Sequence, residues 1–294
     1  MMRYSLALAL GVLVSGAVHA KLVEEVVRVP VKVSNGYGKL VEQESVVTLL
    51  VNDSAVKPYP IAILNHGRAA KAAERAAMGR AKYAVNARWL ARMGFLVVVP
   101  TRVGYGETGG EDVEDTGDCY RKNYPPGYEA AAAQTLQVLQ FVQQRPDVAQ
   151  DRTLVLGQSF GGTTAITVAA KNPQGILATI NFAGGGGGNP ETHRQQPCGT
   201  ERLQKMFADY GKTARLPTLW VYTENDQWMG PQFPREWFDA YQAAGGVGEF
   251  VLFPPNGSDG HGLFSNAPDV WQARVLAFLQ VHGYPDLKAP EVKK

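Results

Sequence analysis

The chain has few cysteines, little excess charge and no apolar run of the roughly 20 residues that a membrane span needs. It has 2 cysteines in 294 residues, and 29 Lys and Arg residues stand against 27 Asp and Glu residues, a formal net charge of +2. This balance gives no electrostatic indication of binding to nucleic acid or to anionic membranes. The sequence also lacks repeats, low-complexity tracts and linker-like segments, so we expect one domain.

The N-terminus has the composition of a secretory signal. Arg3 supplies positive charge, residues 6–14 are apolar, and Val18-His19-Ala20 offers a cleavage position. A membrane anchor is the alternative, but the apolar stretch is too short to span a bilayer. We therefore predict a signal peptide at 1–20, export to the periplasm or the extracellular space, and a mature chain at 21–294 with no membrane span.

Cys119 and Cys198 are the two cysteines of the chain. In an exported protein an even pair favours a disulfide, and two separate free thiols are the alternative. Neither cysteine has a second Cys or a His at the spacing of a zinc site. We expect a Cys119–Cys198 bridge and no metal site.

Beyond residue 20 the hydrophobic pattern alternates between strands and helices. Period-2 alternation predicts a hairpin over 24–33 and 45–51. Further strands are predicted at 59–64, 95–99, 153–156, 176–182, 218–223 and 249–253, and helices at 72–93, 129–144, 163–171, 201–210, 235–244 and 267–281. This order predicts an α/β fold, a mostly parallel sheet of about eight strands with helices on both faces. We expect the irregular segments at about 102–128 and 184–214 to act as cap insertions over a site.

The motif with the clearest chemistry is Gly157-Gln158-Ser159-Phe160-Gly161, a G-x-S-x-G. A serine in a sharp strand-to-helix turn needs small neighbours, because other parts of the chain pass close to it. The motif alone is weak, but the apolar run 153–156 precedes it and a helical stretch follows. The alternative is a structural glycine turn with an incidental serine. We predict that Ser159 is a nucleophile and that the N–H of Phe160 stabilises an oxyanion.

A serine nucleophile needs a base, and the chain order Ser, acid, His restricts the candidates. The other histidines lie in the signal, before the serine, before the expected acid, or at the last helix: His19, His66, His193 and His282. His261, in a loop before the final helix, is the predicted base. Asp226, which follows the strand 218–223, is the predicted acid, with Glu224 as the alternative.

The loop after the strand 59–64 is expected to supply a second oxyanion donor. It reads Asn65-His66-Gly67-Arg68, and the N–H of Arg68 is the predicted donor. We interpret His66 as a structural brace of this loop rather than as a second base. The Arg68 side chain could meet an anionic substrate or simply be solvated.

Together these residues resemble the α/β-hydrolase superfamily, in its dienelactone-hydrolase-like or serine esterase branch. The resemblance rests on Asn65-His66-Gly67, the Gly104–Thr108 stretch, the Gly157–Gly161 motif, Asp226 and His261, in family order. It implies a catalytic triad of the serine, the aspartate and the histidine. One departure concerns the nucleophile: cytosolic dienelactone hydrolases use a cysteine, so lactone specificity is not implied here.

We therefore expect an exported serine hydrolase that cleaves small carboxylic esters through an acyl-enzyme, without a metal or organic cofactor. Tyr105 and Trp228 are predicted to line the substrate pocket, and Tyr120, Tyr124 and Phe160 are further candidates for it. Two other functions stay open: a peptidase or amide hydrolase on the same fold, and a non-catalytic exported binding protein.

Overall fold

The computed structural model describes residues 21–290. The predicted signal peptide at 1–20 lies outside the described residues. Within 21–290 we find no helix long and apolar enough to cross a membrane.

Strands and helices alternate along the chain, as the sequence predicts. The strands are β1 (Leu22–Ser34), β2 (Leu40–Asn52), β3 (Tyr59–Asn65), β4 (Leu96–Thr101), β5 (Val148–Gln158), β6 (Ile176–Phe182), β7 (Thr218–Thr223) and β8 (Gly248–Phe253). The α-helices are α1 (Ala72–Ala76), α2 (Ala84–Arg92), α3 (Tyr124–Gln143), α4 (Phe160–Ala170), α5 (Thr200–Thr213), α6 (Gln232–Ala243), α7 (Leu263–Asn266) and α8 (Pro268–Val281). Short 3₁₀ turns occur at Cys119–Arg121 and Gly260–Gly262.

The eight strands form one sheet in the order β1-β2-β4-β3-β5-β6-β7-β8. β2 runs antiparallel to both β1 and β4, and every pair from β4 to β8 is parallel. The predicted fold class, a mostly parallel sheet of eight strands, is confirmed. Because parallel strands end at the same edge, the loops after β3, β5, β7 and β8 meet there.

The sheet is covered on both faces, and strand β4 shows how. All six of its residues are buried. Val97 and Val99 pack into one hydrophobic cluster, while Leu96 and Val98 pack into another. Successive side chains of a strand point to opposite faces, so an uninterrupted apolar run is what a strand between two helical layers requires.

Two predicted helices differ from those in the structure by more than three residues. The helix predicted at 72–93 is split into α1 and α2, because Gly79 (φ 68°) and Tyr83 (φ 44°) adopt left-handed backbone conformations that interrupt the helix. Helix α3 begins at Tyr124 rather than at 129, with proline in its first turn. Proline suits that position, since its missing N–H has no partner there in any helix.

The predicted bridge is confirmed: Cys119 and Cys198 form a disulfide. Cys119 lies in the 3₁₀ turn ahead of α3, and Cys198 lies two residues ahead of α5. The bond therefore ties the irregular segment after β4 to the irregular segment after β6.

Candidate active site

Ser159 occupies the turn between β5 and α4, with φ 56° and ψ −123°. This left-handed conformation is rare for a residue with a side chain and persists only where the surroundings enforce it. Its neighbours leave no room for larger residues. A Cβ at Gly161 would lie 2.1 Å from the Asn65 carbonyl oxygen, and one at Gly157 would lie 2.3 Å from the Gly161 oxygen. Both motif glycines are thus required by close packing.

His261 is paired with Asp226. Its Nδ1 lies 3.1 and 3.0 Å from the two carboxylate oxygens of Asp226. Asp226 is fully buried, and its Oδ1 also accepts the backbone N–H groups of Trp228 and Met229 at 2.8 and 2.9 Å. Glu224, the alternative acid, is exposed. The carboxylate in contact with the imidazole is therefore that of Asp226.

The negative charge of Asp226 affects the pKa of His261. Burial by itself lowers the pKa of His261, but the charge and the hydrogen bond of Asp226 outweigh it, and the pKa is raised above its usual value. The ring of Trp228 stacks on the imidazole at 5.2 Å between centroids.

The loop of His261 is held against the turn of Ser159. The side chain of Gln158, the residue before the serine, donates to the His261 carbonyl oxygen at 2.9 Å. Asp259 accepts the backbone N–H of His261 at 2.9 Å. No hydrogen bond joins the Ser159 hydroxyl to the imidazole within the described residues. Catalytic hydrogen bonds often shorten only once substrate is bound.

The two predicted oxyanion donors are the backbone N–H groups of Arg68 and Phe160, which follow Gly67 and Ser159 in the chain. A Cβ at Gly67 would lie 3.3 Å from the Ser159 Cβ, so this glycine lets the loop after β3 approach Ser159. The Gly67 N–H donates to the Tyr83 hydroxyl at 3.2 Å. Across residues 21–290, by contrast, we find no acceptor for the N–H groups of Arg68 and Phe160. These are the two donors that the sequence predicts for an oxyanion.

A cavity of about 460 Å³ opens above the serine. Its wall includes Ser159, Phe160, Tyr124, Trp228 and the glycines of the run 185–188. Tyr105 does not line it, contrary to the expectation. Its ring packs edge-on against His66 and its hydroxyl donates to Glu114 at 2.6 Å, which keeps it fully buried behind the wall. Tyr120 is 92% exposed and is not among the lining residues either.

The charged part of the cavity wall is built around Asp112. Arg68 binds both carboxylate oxygens of Asp112, and Arg75 binds one of them at 2.9 Å. Burial opposes the charge of Arg68, but the bond to Asp112 raises its pKa above the usual value. The Arg68 side chain is thus mostly buried and held in an ion-pair cluster rather than free at the surface.

The disulfide and His193 lie together at another part of the wall. His193 Nε2 is 3.3 Å from Cys198 Sγ, and ligand atoms of Cys119, His193 and Cys198 all lie within 4.8 Å of one another. The two sulfurs are bonded to each other, so the imidazole is the only member of this group with a free ligand atom.

The sequence did not indicate several residues whose hydrogen bonds and ion pairs support the site: Arg102, Asp112, Glu114, Gln158 and Asp259. A signal existed for Arg102, since it directly follows the apolar run of β4 and thus stands at the carboxyl edge of the sheet. Glu114 and Asp112 lie in an irregular segment, where no periodicity indicates which side chains turn inward.

The sheet order, the serine in its strained turn and the buried Asp–His pair define the α/β-hydrolase class. Within this class, the dienelactone hydrolase family matches residues 76–230, more than half of the chain and a span that contains Ser159 and Asp226. The chain belongs to the dienelactone hydrolase family. A search of curated proteins found no significant match.

Solved structures share the fold at low sequence identity. An acetyl xylan esterase from Paenibacillus sp. R4 is 18% identical, with a TM-score of 0.58 and 89% of both chains covered. A dienelactone hydrolase-like promiscuous phosphotriesterase from metagenomic libraries is 16% identical, with a TM-score of 0.57, 90% of this chain and 100% of that chain covered. An acylaminoacyl peptidase from Pyrococcus horikoshii is 12% identical, with a TM-score of 0.60, 94% of this chain and 43% of that chain covered.

Proposed function

We propose that this protein is a serine hydrolase of carboxylic esters, with Ser159 as nucleophile, His261 as base and Asp226 as the acid. The observation that carries the proposal is the conjunction of the strained Ser159 turn with the buried His261–Asp226 hydrogen bond. A family of hydrolases and esterase neighbours of the same fold support it.

The reaction is acyl transfer in two steps. His261 Nε2 takes the proton of the Ser159 hydroxyl as the oxygen attacks the ester carbonyl, and Asp226 stabilises the imidazolium that forms. The free N–H groups of Phe160 and Arg68 bind the oxyanion, where a single donor is typically worth about 10²–10³ in kcat. The imidazolium then protonates the leaving alcohol, and water attacks the acyl-enzyme by the same route.

The first test is Ser159→Ala, assayed with a short 4-nitrophenyl ester. The variant removes the nucleophile and leaves the cavity in place, so we expect kcat/KM to fall to the background rate. Labelling by a fluorophosphonate probe should disappear with it. Wild-type turnover by Ser159→Ala would refute the assignment, and a wild-type protein that neither turns over esters nor takes the label would favour a binding protein.

A peptidase or amide hydrolase is the second candidate, and the similarity to an acylaminoacyl peptidase favours it. The chain covers only 43% of that peptidase. Parallel assays of an acyl 4-nitrophenyl ester and the matching acyl-amino-acid 4-nitroanilide separate the two activities. We expect hydrolysis of the ester and little release of nitroaniline.

Export is part of the proposal. A positively charged start, an apolar stretch and Ala20 at the cleavage position support it, and the Cys119–Cys198 disulfide suits an oxidising compartment. We expect protein expressed with its N-terminus to be recovered outside the cytoplasm. Its intact mass should correspond to a chain that begins at Lys21, and a full-length mass there would contradict cleavage.

A further inference from the structure

The loop beside the serine is held from behind by a buried ion pair. Arg102 and Glu114 are both fully buried, and the guanidinium of Arg102 donates to both carboxylate oxygens of Glu114. Removing two charges from water costs so much that a buried pair is often no more stabilising than apolar side chains of the same volume. Stability alone therefore does not account for this pair, and its remaining contacts indicate another role.

Glu114 also accepts the Tyr105 hydroxyl, and the other hydrogen bonds of Arg102 go to His66. The Arg102 guanidinium donates to the His66 carbonyl oxygen at 2.8 Å, and the Arg102 backbone N–H donates to the ring nitrogen Nε2 at 3.1 Å. Nε2 is therefore an acceptor, and the ring proton must lie on Nδ1. Nδ1 is 2.7 Å from the Gly67 carbonyl oxygen and donates to it. Burial and the nearby Arg102 charge hold the pKa of His66 well below its usual range, which keeps the ring neutral in this tautomer.

The hydrogen bond to the Gly67 carbonyl determines where the next N–H points. A peptide unit is planar and trans, so its C=O and the following N–H point in opposite directions. With the Gly67 oxygen turned toward His66, the Arg68 N–H is turned away from it. Glycine at 67 lacks a side chain that would restrict rotation of this unit, so the His66 bond is what selects the orientation.

We propose that His66 and the buried Arg102–Glu114 pair are positioning residues that orient the Gly67–Arg68 peptide so that its N–H serves as an oxyanion donor. This inference rests on the proposed function and adds three residues to it. The ion pair fixes His66, His66 fixes one carbonyl, and the planar peptide aligns the N–H with the oxygen that develops on the ester. None of the three side chains touches the substrate.

The test is His66→Phe, which keeps a ring of similar size and removes both ring nitrogens. We expect kcat to fall about 10²-fold, the loss of one oxyanion donor, with KM little changed. Affinity for an alkyl boronic acid, whose adduct with the serine is tetrahedral, should fall in parallel. His66→Gln, which keeps an amide N–H, should recover part of the loss. Unchanged kcat and boronate affinity in a His66→Phe variant that melts like the wild type would overturn the proposal.

A second variant guards against failure to fold. Arg102→Met with Glu114→Leu replaces the ion pair by apolar side chains and should reproduce the drop in kcat. The matched control replaces Arg145 and Asp147, a half-buried pair away from the site, by Met and Leu, and should leave kcat unchanged. If the double variant is as active as this control, the pair does not position the loop.

A crystal structure of His66→Phe tests whether His66 orients the Gly67–Arg68 peptide, even if the wild type hydrolyses no ester. We expect the Gly67 carbonyl to leave its present direction. A Gly67–Arg68 peptide that keeps its orientation would refute the positioning role. Absence of Ser159-dependent turnover in the wild type would instead refute the proposed function.

Discussion

At the scale of single residues, the Asp226 carboxylate combines three tasks. It is fully buried, accepts two main-chain N–H groups and binds the Nδ1–H of His261. The main-chain donors hold the carboxylate in one orientation, and the carboxylate in turn holds the imidazole with Nε2 free. Glu224, two residues earlier, is exposed and has no such role.

Asp226→Asn keeps the shape of the side chain and removes its charge. We expect kcat to fall by about 10⁴-fold, because the amide no longer selects the right tautomer or stabilises the imidazolium. The pH profile of the residual activity should also move. His261, the proposed base, acts when neutral, so we expect activity to fall as pH drops through its pKa. Since Asp226 raises that pKa, its loss should shift the acid limb to lower pH.

Glu224→Gln is the matched control, since it removes a carboxylate from the same loop. Its kcat and pH profile should equal those of the wild type. The assignment of the acid fails if the glutamate variant, rather than the aspartate variant, loses activity.

At the scale of elements, the turn between β5 and α4 depends on how closely it approaches β3. Gly161, in the first turn of α4, faces the carbonyl oxygen of Asn65 at the end of β3. The same approach brings Gly67 against Ser159. One contact between elements therefore sets the distance between Ser159 and the loop after β3.

Gly161→Ala should force these elements apart, because its Cβ would lie 2.1 Å from the Asn65 oxygen. We expect a loss of about 1–3 kcal/mol in the free energy of unfolding, measured in urea, together with a lower kcat. Gly36→Ala is the control, since its Cβ would meet neighbours only at 3.7 Å. Equal stability of the two variants would show that the turn has more freedom than the packing indicates.

At the scale of the whole molecule, the disulfide joins the irregular segment after β4 to the irregular segment after β6, neither of which is part of the sheet. Cys119 and Cys198 are 79 residues apart in the sequence, and the bond closes a loop that includes β5, α4 and β6. A cross-link across so long a loop reduces the freedom of the unfolded chain. Both cysteines also contribute to the cavity wall.

Replacing both cysteines by serine should lower the free energy of unfolding by about 2–4 kcal/mol. Urea denaturation of the variant and of the oxidised wild type measures the difference. Wild type kept in a thiol reductant should approach the stability of the variant. A double variant as stable as the oxidised protein would show that the bond contributes nothing to folding.

Local pattern determined much of this protein in advance. Apolar runs such as 218–223 and 176–182 became β7 and β6 with the predicted bounds, because a strand buried on both faces admits little else. The order of strands and helices predicted the sheet. The G-x-S-x-G turn and the histidine before the last helix could be singled out because each is defined by its immediate neighbours. The break at Tyr83 was not predicted, since nothing in the local sequence requires a left-handed conformation of a tyrosine. The start of α3 had a local signal, the prolines of its first turn, which the prediction of a start at 129 did not use.

Only the tertiary structure determines which side chains from separate elements come into contact. The sequence left Glu224 and Asp226 as alternatives for the acid, and in the fold Asp226 is the one buried against His261. The sequence also suggested Tyr105 for the substrate pocket. In the structure its hydroxyl donates to the buried Glu114 carboxylate, and the ring lies behind the cavity wall. The Arg102–Glu114 pair had no sequence motif at all. Hydrophobic periodicity shows which side of an element is buried, but not which side chains it contacts there. The proposed orientation of the Arg68 N–H depends on such contacts.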